Sequence, residues 1–151
     1  MDIRRLRPLD EGEWIRLKTA VDPDSDPDEL REYLPAYLEG GDPRVLSLVI
    51  ARNDTTLGGV FELILRAHAE GSFSSPVACV NDWYIDEDLR GQGWGRKLLD
   101  EACDWARHHG CSEIASTCLV DNETAVEVHE HLGFEEVDRL VHFVRLLPAE
   151  G

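Results

Sequence analysis

The sequence predicts an α/β (α+β) chain, a single domain of residues 1–151 in which six to seven strands share one core with about four helices. Three observations carry this reading. Short apolar runs at Leu46–Ala51, Thr56–Leu65 and Val77–Ile85 are bounded by turn residues, as strands are. Between and around them lie stretches with apolar residues three and four apart, the spacing of amphipathic helices. The third is size: 151 residues at 42% hydrophobic content suffice for one core that buries about two-thirds of the unfolded surface.

Taken in order, Ile3–Leu9 alternates as a first strand and stops at Pro8. Asp10 is then placed to cap a helix carrying Trp14, Ile15 and Leu17. Asp22-Pro23-Asp24-Ser25-Asp26-Pro27-Asp28 has loop composition and leads into a second helix with Leu30, Tyr33, Leu34, Tyr37 and Leu38, both tyrosines expected against a sheet. Gly40-Gly41 ends it. Leu46–Ala51 and Thr56–Leu65 form a hairpin about Asn53-Asp54, and a polar loop from Ala67 to Pro76 leads to a fourth strand, Val77–Ile85. A helix to about His108 is closed by Gly110, and a fifth strand is expected over Cys111–Leu119. Asp121 or Asn122 caps the next helix through Leu132, Gly133-Phe134 turns the chain, and Val137–Leu147 is expected to finish as strand.

The chemistry concentrates where the fourth strand enters the following helix. Arg90-Gly91-Gln92-Gly93-Trp94-Gly95-Arg96 places glycines at alternate positions, so the backbone can curl with its N–H groups directed into one concavity at a helix start. Unsatisfied amides and the positive end of the helix dipole favour a phosphate or pyrophosphate there. A dinucleotide fingerprint would need Gly-x-Gly-x-x-Gly, and a P-loop would need Gly-Lys-Ser/Thr; neither is present.

Arg90-Gly91-Gln92-Gly93-Trp94-Gly95 resembles the acetyl-CoA pyrophosphate loop of the GCN5-related N-acetyltransferase (GNAT) superfamily, and Asn122-Glu123-Thr124-Ala125 followed by His129 and Gly133-Phe134 resembles its second motif. The element order matches that fold over nearly the whole chain. The resemblance implies a central mixed, mostly antiparallel twisted sheet whose fourth and fifth strands splay apart to admit acetyl-CoA. Backbone at Trp83, Tyr84 and Ile85 would then pair with the pantetheine arm, an amide near Trp83 facing the acetyl oxygen. Arg90, Gly91, Gln92, Gly93, Trp94, Gly95 and Arg96 would hold the pyrophosphate, and Asn122 would contact the cofactor. Met1-Asp2-Ile3-Arg4, Ser74–Val77, Gly110–Glu113 and Val128-His129 with Leu132–Glu136 are similar to the aminoglycoside 6′-N-acetyltransferases of type I. In that subgroup His129 stands at the general-acid position. Its acceptor-site residues fall here on Asp22, His68, Asn81 and Thr117, all of different type from the subgroup's, with Glu136 near the site's edge.

Strand alternation groups Asn81 with Trp83 on one face and Val80, Asp82 and Tyr84 on the other. The resembled subgroup carries a glutamate at the position of Asn81, which Asp82 would replace only through a bulge, and Asp82 is the candidate base, directly or through water. Asn81 and His129 complete the candidate catalytic set. Amine acetylation needs a neutral amine, a held thioester and a stabilised oxyanion.

The net charge of −16 argues against nucleic-acid and anionic-membrane partners and favours a small cationic amine. No apolar run reaches the ~20 residues of a membrane span, so a cytoplasmic location is expected. Cys79, Cys103, Cys111 and Cys118 lack metal-ligand or Cys-x-x-Cys spacing, and no metal is expected. The apolar final strand predicts a homodimer. Three functions stay open: a small-molecule N-acetyltransferase with an aminoglycoside among its acceptors, an enzyme for polyamine, peptide or protein amines, and an acyl-CoA-binding module without turnover.

Overall fold

The Asn53 side chain turns the hairpin: its Oδ1 accepts from the amides of Thr55 and Thr56 at 2.9 Å each, an Asx-type turn that a side chain of this length can close. On either side run β2 (Val45–Ala51) and β3 (Leu57–Arg66), antiparallel and buried for most of their length. The computed structural model describes residues 1–150. They divide into two compact units, Met1–Thr117 and the residues from Cys118 onward.

In the first unit a sheet has the order β1-β2-β3-β4-β5, with β1 at Asp2–Arg5, β4 at Val77–Ile85 and β5 at Ile114–Ala115. All pairings are antiparallel except β4 with β5, which is parallel and limited to Ala78 opposite Ile114 and Cys79 opposite Ala115. The mixed, mostly antiparallel sheet is therefore as expected. It has five strands where six to seven were expected, and the fifth is two residues long instead of spanning Cys111–Leu119.

Helices α1 (Glu11–Val21) and α2 (Pro27–Tyr37) cover one face. Trp14, Leu17 and Leu34 pack there with Leu6, Val49, Ala51, Leu57 and Val60 in a single buried cluster. Alternation sends Leu48, Phe61, Leu63 and Trp83 to the opposite face, the side of α3 (Trp94–His108), whose buried stripe is Leu98, Leu99, Ala102 and Ala106. Asp10 does not cap α1 with its side chain as expected. Its carboxylate accepts from the Arg7 amide at 2.9 Å and from both Arg4 terminal nitrogens at 2.7 and 2.9 Å, tying β1 to the short 3-10 turn Pro8–Asp10. Asp26 does cap α2, accepting from Asp28 N at 2.9 Å. Of its two tyrosines only Tyr37 joins the core; Tyr33 points to solvent and donates to Glu29 one turn earlier, at 3.1 Å.

The second unit holds α4 (Glu123–His131), capped by Asn122 Oδ1 on the Ala125 amide at 3.1 Å. Gly133, at φ +92°, ends it: its amide bonds to Glu130 O at 3.1 Å and the next, of Phe134, to His129 O at 2.9 Å. The expected strand over Val137–Leu147 is not formed. A strand needs a paired neighbour, and within this unit the segment pairs with no other strand; Phe143, Val144, Leu146 and Leu147 are exposed.

Candidate active site

Glu62 and Asp82 face each other directly across β3 and β4, and the register shifts immediately beyond them so that Leu63 opposes Val80. Asn81 is the extra residue, a β-bulge on β4. The bulge corrects the face assignment made from strict alternation: Asn81 turns to the α2 side with Asp82, its amide donating to the Tyr37 hydroxyl at 3.2 Å, while Val80 joins Trp83 on the other side. Two like charges in register would destabilise the pair if nothing lay between them.

Lys18 of α1 lies between them. Its ammonium is hydrogen-bonded to Glu62 Oε1 and to Asp82 Oδ2. Glu62 is fully buried, and its second oxygen accepts from Trp14 Nε1 at 2.9 Å and Ser47 Oγ at 2.7 Å. The Lys18 nitrogen also stands 5.0 Å from the Tyr37 ring centre and 5.4 Å from that of Trp14, within cation–π range. Burial alone would push the Lys18 ammonium down, but the charges of Glu62 and Asp82 outweigh it and hold the group above its ordinary value. Burial also pushes the Tyr37 phenol up, so its hydroxyl keeps its proton.

The bulge also sets where the strand's amides point. Asp86 N donates to Gly58 O on the β3 side, and Ala78 N donates to Glu113 O on the β5 side. Alternation back from Asp86 turns the amides of Trp83 and Ile85 away from β3. Because β5 ends at Ala115, it covers none of this stretch, and the sheet opens between the two strands.

From Ile85 the chain passes through a 3-10 turn, Glu87–Leu89, into the glycine loop. Gly91 at φ +73° and Gly93 at φ +87° adopt the left-handed backbone that glycine tolerates, and Gly93 stands at the N-cap of α3. A Cβ at Gly58 would collide with Leu89, so the hairpin packs tightly under the loop's entry. Arg90 folds back, Nε donating to Ile85 O at 2.8 Å with the guanidinium 5.4 Å from the Tyr84 ring. Gln92 Nε2 donates to Asp88 O at 2.8 Å.

The model of the acetyltransferase (GNAT) family matches residues 6–134. The chain belongs to that family. An aminoglycoside N(6′)-acetyltransferase type 1 of Stenotrophomonas maltophilia is 35% identical over 141 residues, 93% of this chain and 90% of that one. Its counterpart from Serratia marcescens is 32% identical, covering 89% and 91%. Among solved structures, AAC(6′)-Iy in complex with the bisubstrate analogue CoA-S-monomethyl-acetylneamine superposes with a TM-score of 0.86 at 25% identity, covering 97% of this chain and 98% of that one. The apo aminoglycoside 6′-N-acetyltransferase AAC(6′)-IG of Acinetobacter haemolyticus gives 0.86 at 26% identity over 98% and 100%.

In this acetyltransferase the sequence-predicted residues fall into separate groups. Asn81 and Asp82 meet at the bulge; Trp83, Tyr84 and Ile85 continue β4; Arg90 to Arg96 form the loop and the first turn of α3. Asp22, at the end of α1, His68, in the β3–β4 loop, and Thr117, past β5, are exposed, and among the described residues no hydrogen bond or ion pair joins them to Asp82. In the second unit, His129 Nδ1 lies 2.6 Å from Ala125 O and its ring meets Phe134 edge-on, while Glu136 pairs with Arg139. Sequence reasoning missed Lys18, Glu62 and Ser47. The available signal was charge on apolar positions: Lys18 falls on the helical stripe of Trp14 and Leu17, and Glu62 interrupts Val60-Phe61 and Leu63-Ile64-Leu65.

Proposed function

We propose that the protein transfers the acetyl group of acetyl-CoA to a primary amine of a small cationic molecule, the 6′-amine of an aminoglycoside among its acceptors. The observation that carries this is the stretch of β4 beyond the Asn81 bulge that β5 does not pair, with the amides of Trp83 and Ile85 turned away from β3, running directly into a left-handed glycine loop at a helix start. An extended amide-bearing arm ending in a pyrophosphate fits that sequence of donors. The relatives' acceptors, and coenzyme A as part of the ligand bound by AAC(6′)-Iy, support the same reading.

When bound, acetyl-CoA supplies an activated thioester. The residues' work is then to hold it and to manage protons. The Trp83 amide is the donor for the acetyl oxygen, and residues 90–96 hold the pyrophosphate. Asp82 takes the ammonium proton through Oδ1, directly or through water, since Lys18 occupies Oδ2. Asn81 orients the amine beside it. His129 donates Nδ1–H to the Ala125 carbonyl, so it is the imidazolium that would give its Nε2–H to the departing thiolate, and Asn122, at the cap of α4, would contact the cofactor. Asp22, His68, Thr117 and Glu136 line the acceptor side in this reading, with no metal taking part.

The proposal takes residues 1–151 as one working domain, supported by the family match running through both units. Location in the cytoplasm is part of it; among the described residues no helix is long and apolar enough to cross a membrane. So is a homodimer, supported by the exposed apolar segment Val137–Leu147. One observation favours the alternative of a binding module: an ammonium already sits on Asp82. Coenzyme A release, measured over a panel of aminoglycosides, polyamines and peptides, separates the readings. Turnover with an aminoglycoside above the polyamine and peptide rates is expected. Calorimetric binding of acetyl-CoA with no turnover on any amine would leave only the module.

A further inference from the structure

An anion site preceded by three consecutive acids is an electrostatic contradiction. Asp86-Glu87-Asp88 leads directly into the glycine loop, and Asp88 lies three residues from Gly91, no more than about 11 Å along the chain. The Gln92 side chain, from within the loop, bonds to the Asp88 carbonyl. Carboxylates at this range act on a pyrophosphate within about one Debye length.

Arg52, from the β2–β3 hairpin, meets both aspartates. Its two terminal nitrogens donate to Asp88 at 2.8 and 2.6 Å, and one of them reaches Asp86 at 3.2 Å. Arg16 of α1 grips Asp86 with two further bonds of 3.0 Å and is itself held by Glu13 at 2.7 Å. Hydrogen bonding to Arg52 holds the Asp88 carboxyl below its ordinary range; for Asp86, burial pushes upward but the bonds from Arg16 and Arg52 prevail. Both carboxylates therefore stay charged, and their charge is answered by guanidinium.

We propose that Arg52 is a charge mask for the phosphate loop: it neutralises Asp88 so that an acidic approach does not repel the pyrophosphate bound at Gly91–Arg96. Arg52 is a positioning and screening residue that touches neither substrate. The inference rests on the loop's holding the pyrophosphate of acetyl-CoA, as proposed above. Its opposite is a purely mechanical strut, in which the Arg52–Asp88 pair matters only because it pins the loop.

The two differ in what Asp88 does alone. The test measures coenzyme A binding by calorimetry to wild type, Arg52→Gln, Asp88→Asn and the double variant, at low salt and at about 0.5 M, where the Debye length is under about 5 Å. A mask predicts that Arg52→Gln weakens binding about three- to fivefold at low salt, that the gap closes at high salt, and that Asp88→Asn restores the double variant to wild-type affinity. Asp88→Asn alone then binds no more weakly than wild type. That single variant keeps the proposal testable should Arg52→Gln fold poorly: if Asp88→Asn weakens coenzyme A, the pair is a strut and the mask is overturned. Unchanged affinity of a folded Arg52→Gln overturns it too. A wild-type protein that does not bind coenzyme A removes the loop reading itself, an outcome distinct from wild-type binding with an indifferent Arg52.

Discussion

Lys18→Met tests whether the ammonium between Glu62 and Asp82 is what allows two carboxylates to face each other at the bulge. The side chain of Lys18 is 7% exposed, Glu62 0% and Asp82 18%, so the pair with Glu62 is buried and that with Asp82 nearly so. Methionine keeps the unbranched stem, one atom shorter, and removes the ammonium with its bonds to Glu62 and Asp82. Breaking a buried ion pair by deleting one partner costs about 3–5 kcal/mol, because the remaining charge stays desolvated. Glu62 keeps its bonds from Trp14 and Ser47, which places the expected loss near the lower end, ~3 kcal/mol. At about 2–4 °C per kcal/mol for a chain of this size, the melting temperature should fall by roughly 6–12 °C. Urea unfolding at pH 8 and pH 5 supplies the sharper comparison: at pH 5 a proton can stand in for the missing ammonium, so the deficit should shrink. Adding Glu62→Gln to Lys18→Met should recover at least half of it by removing the opposed charge. In the wild type the sign runs the other way: a lysine held above its unfolded value of about 10.4 stabilises fully below that pH and loses its contribution only as pH rises through the higher folded value. A Lys18→Met protein within 1 kcal/mol of wild type at both pH values, a margin of about 7% to 20% of typical domain stability, would refute the reasoning.

Gly93→Asp should weaken acetyl-CoA by at least tenfold, about 1.4 kcal/mol, by placing a charge beside the phosphates and a side chain at φ +87°; Gly93→Ala, whose Cβ meets nothing within 4 Å, should cost less, and calorimetry on both reads the difference. Salt should raise the Michaelis constant of a tri-cationic amine more than that of a neutral-tailed one, and equal responses would assign the −16 charge to solubility. On acidification, Asp10 and Asp86, both held below the ordinary carboxylate range against the upward push of burial by their arginines, should stabilise the fold above about pH 4 and lose that contribution as pH falls through their lower folded values; an acid unfolding limb that moves to higher pH in Arg16→Gln would show it. Light scattering at micromolar concentration should find a dimer, and truncation after Gly133 should give monomer.

Most elements were legible because their signals are local. The hairpin follows from Asn53-Asp54 between apolar runs, β4 ends at Ile85 as read, and α3 runs from the glycine loop to His108 with Gly110, at φ +83°, just beyond. What escaped depends on partners distant in sequence. Asp10 looks like a helix cap until Arg4, six residues earlier, claims its carboxylate. Val137–Leu147 reads as strand from composition, yet a strand is a relation between two segments, and apolar character names no neighbour.

The bulge shows the same limit at the centre of the site. Alternation assigns Asp82 to the face away from Asn81, and only one extra residue in β4 brings the two together and turns the amides of Trp83 and Ile85 away from β3. Nothing in Val80-Asn81-Asp82-Trp83 announces that residue. Its trace lies elsewhere, in a lysine at an apolar helical position and a glutamate inside an apolar strand, 44 residues apart. Each alone is an anomaly with a desolvation cost; together they are one buried pair, and their third partner, Asp82, fixes where the register must shift. A charged residue on a core stripe is thus best read as half of a contact, and searching the other apolar segments for its counter-charge would have located both the bulge and the carboxylate proposed to take the proton.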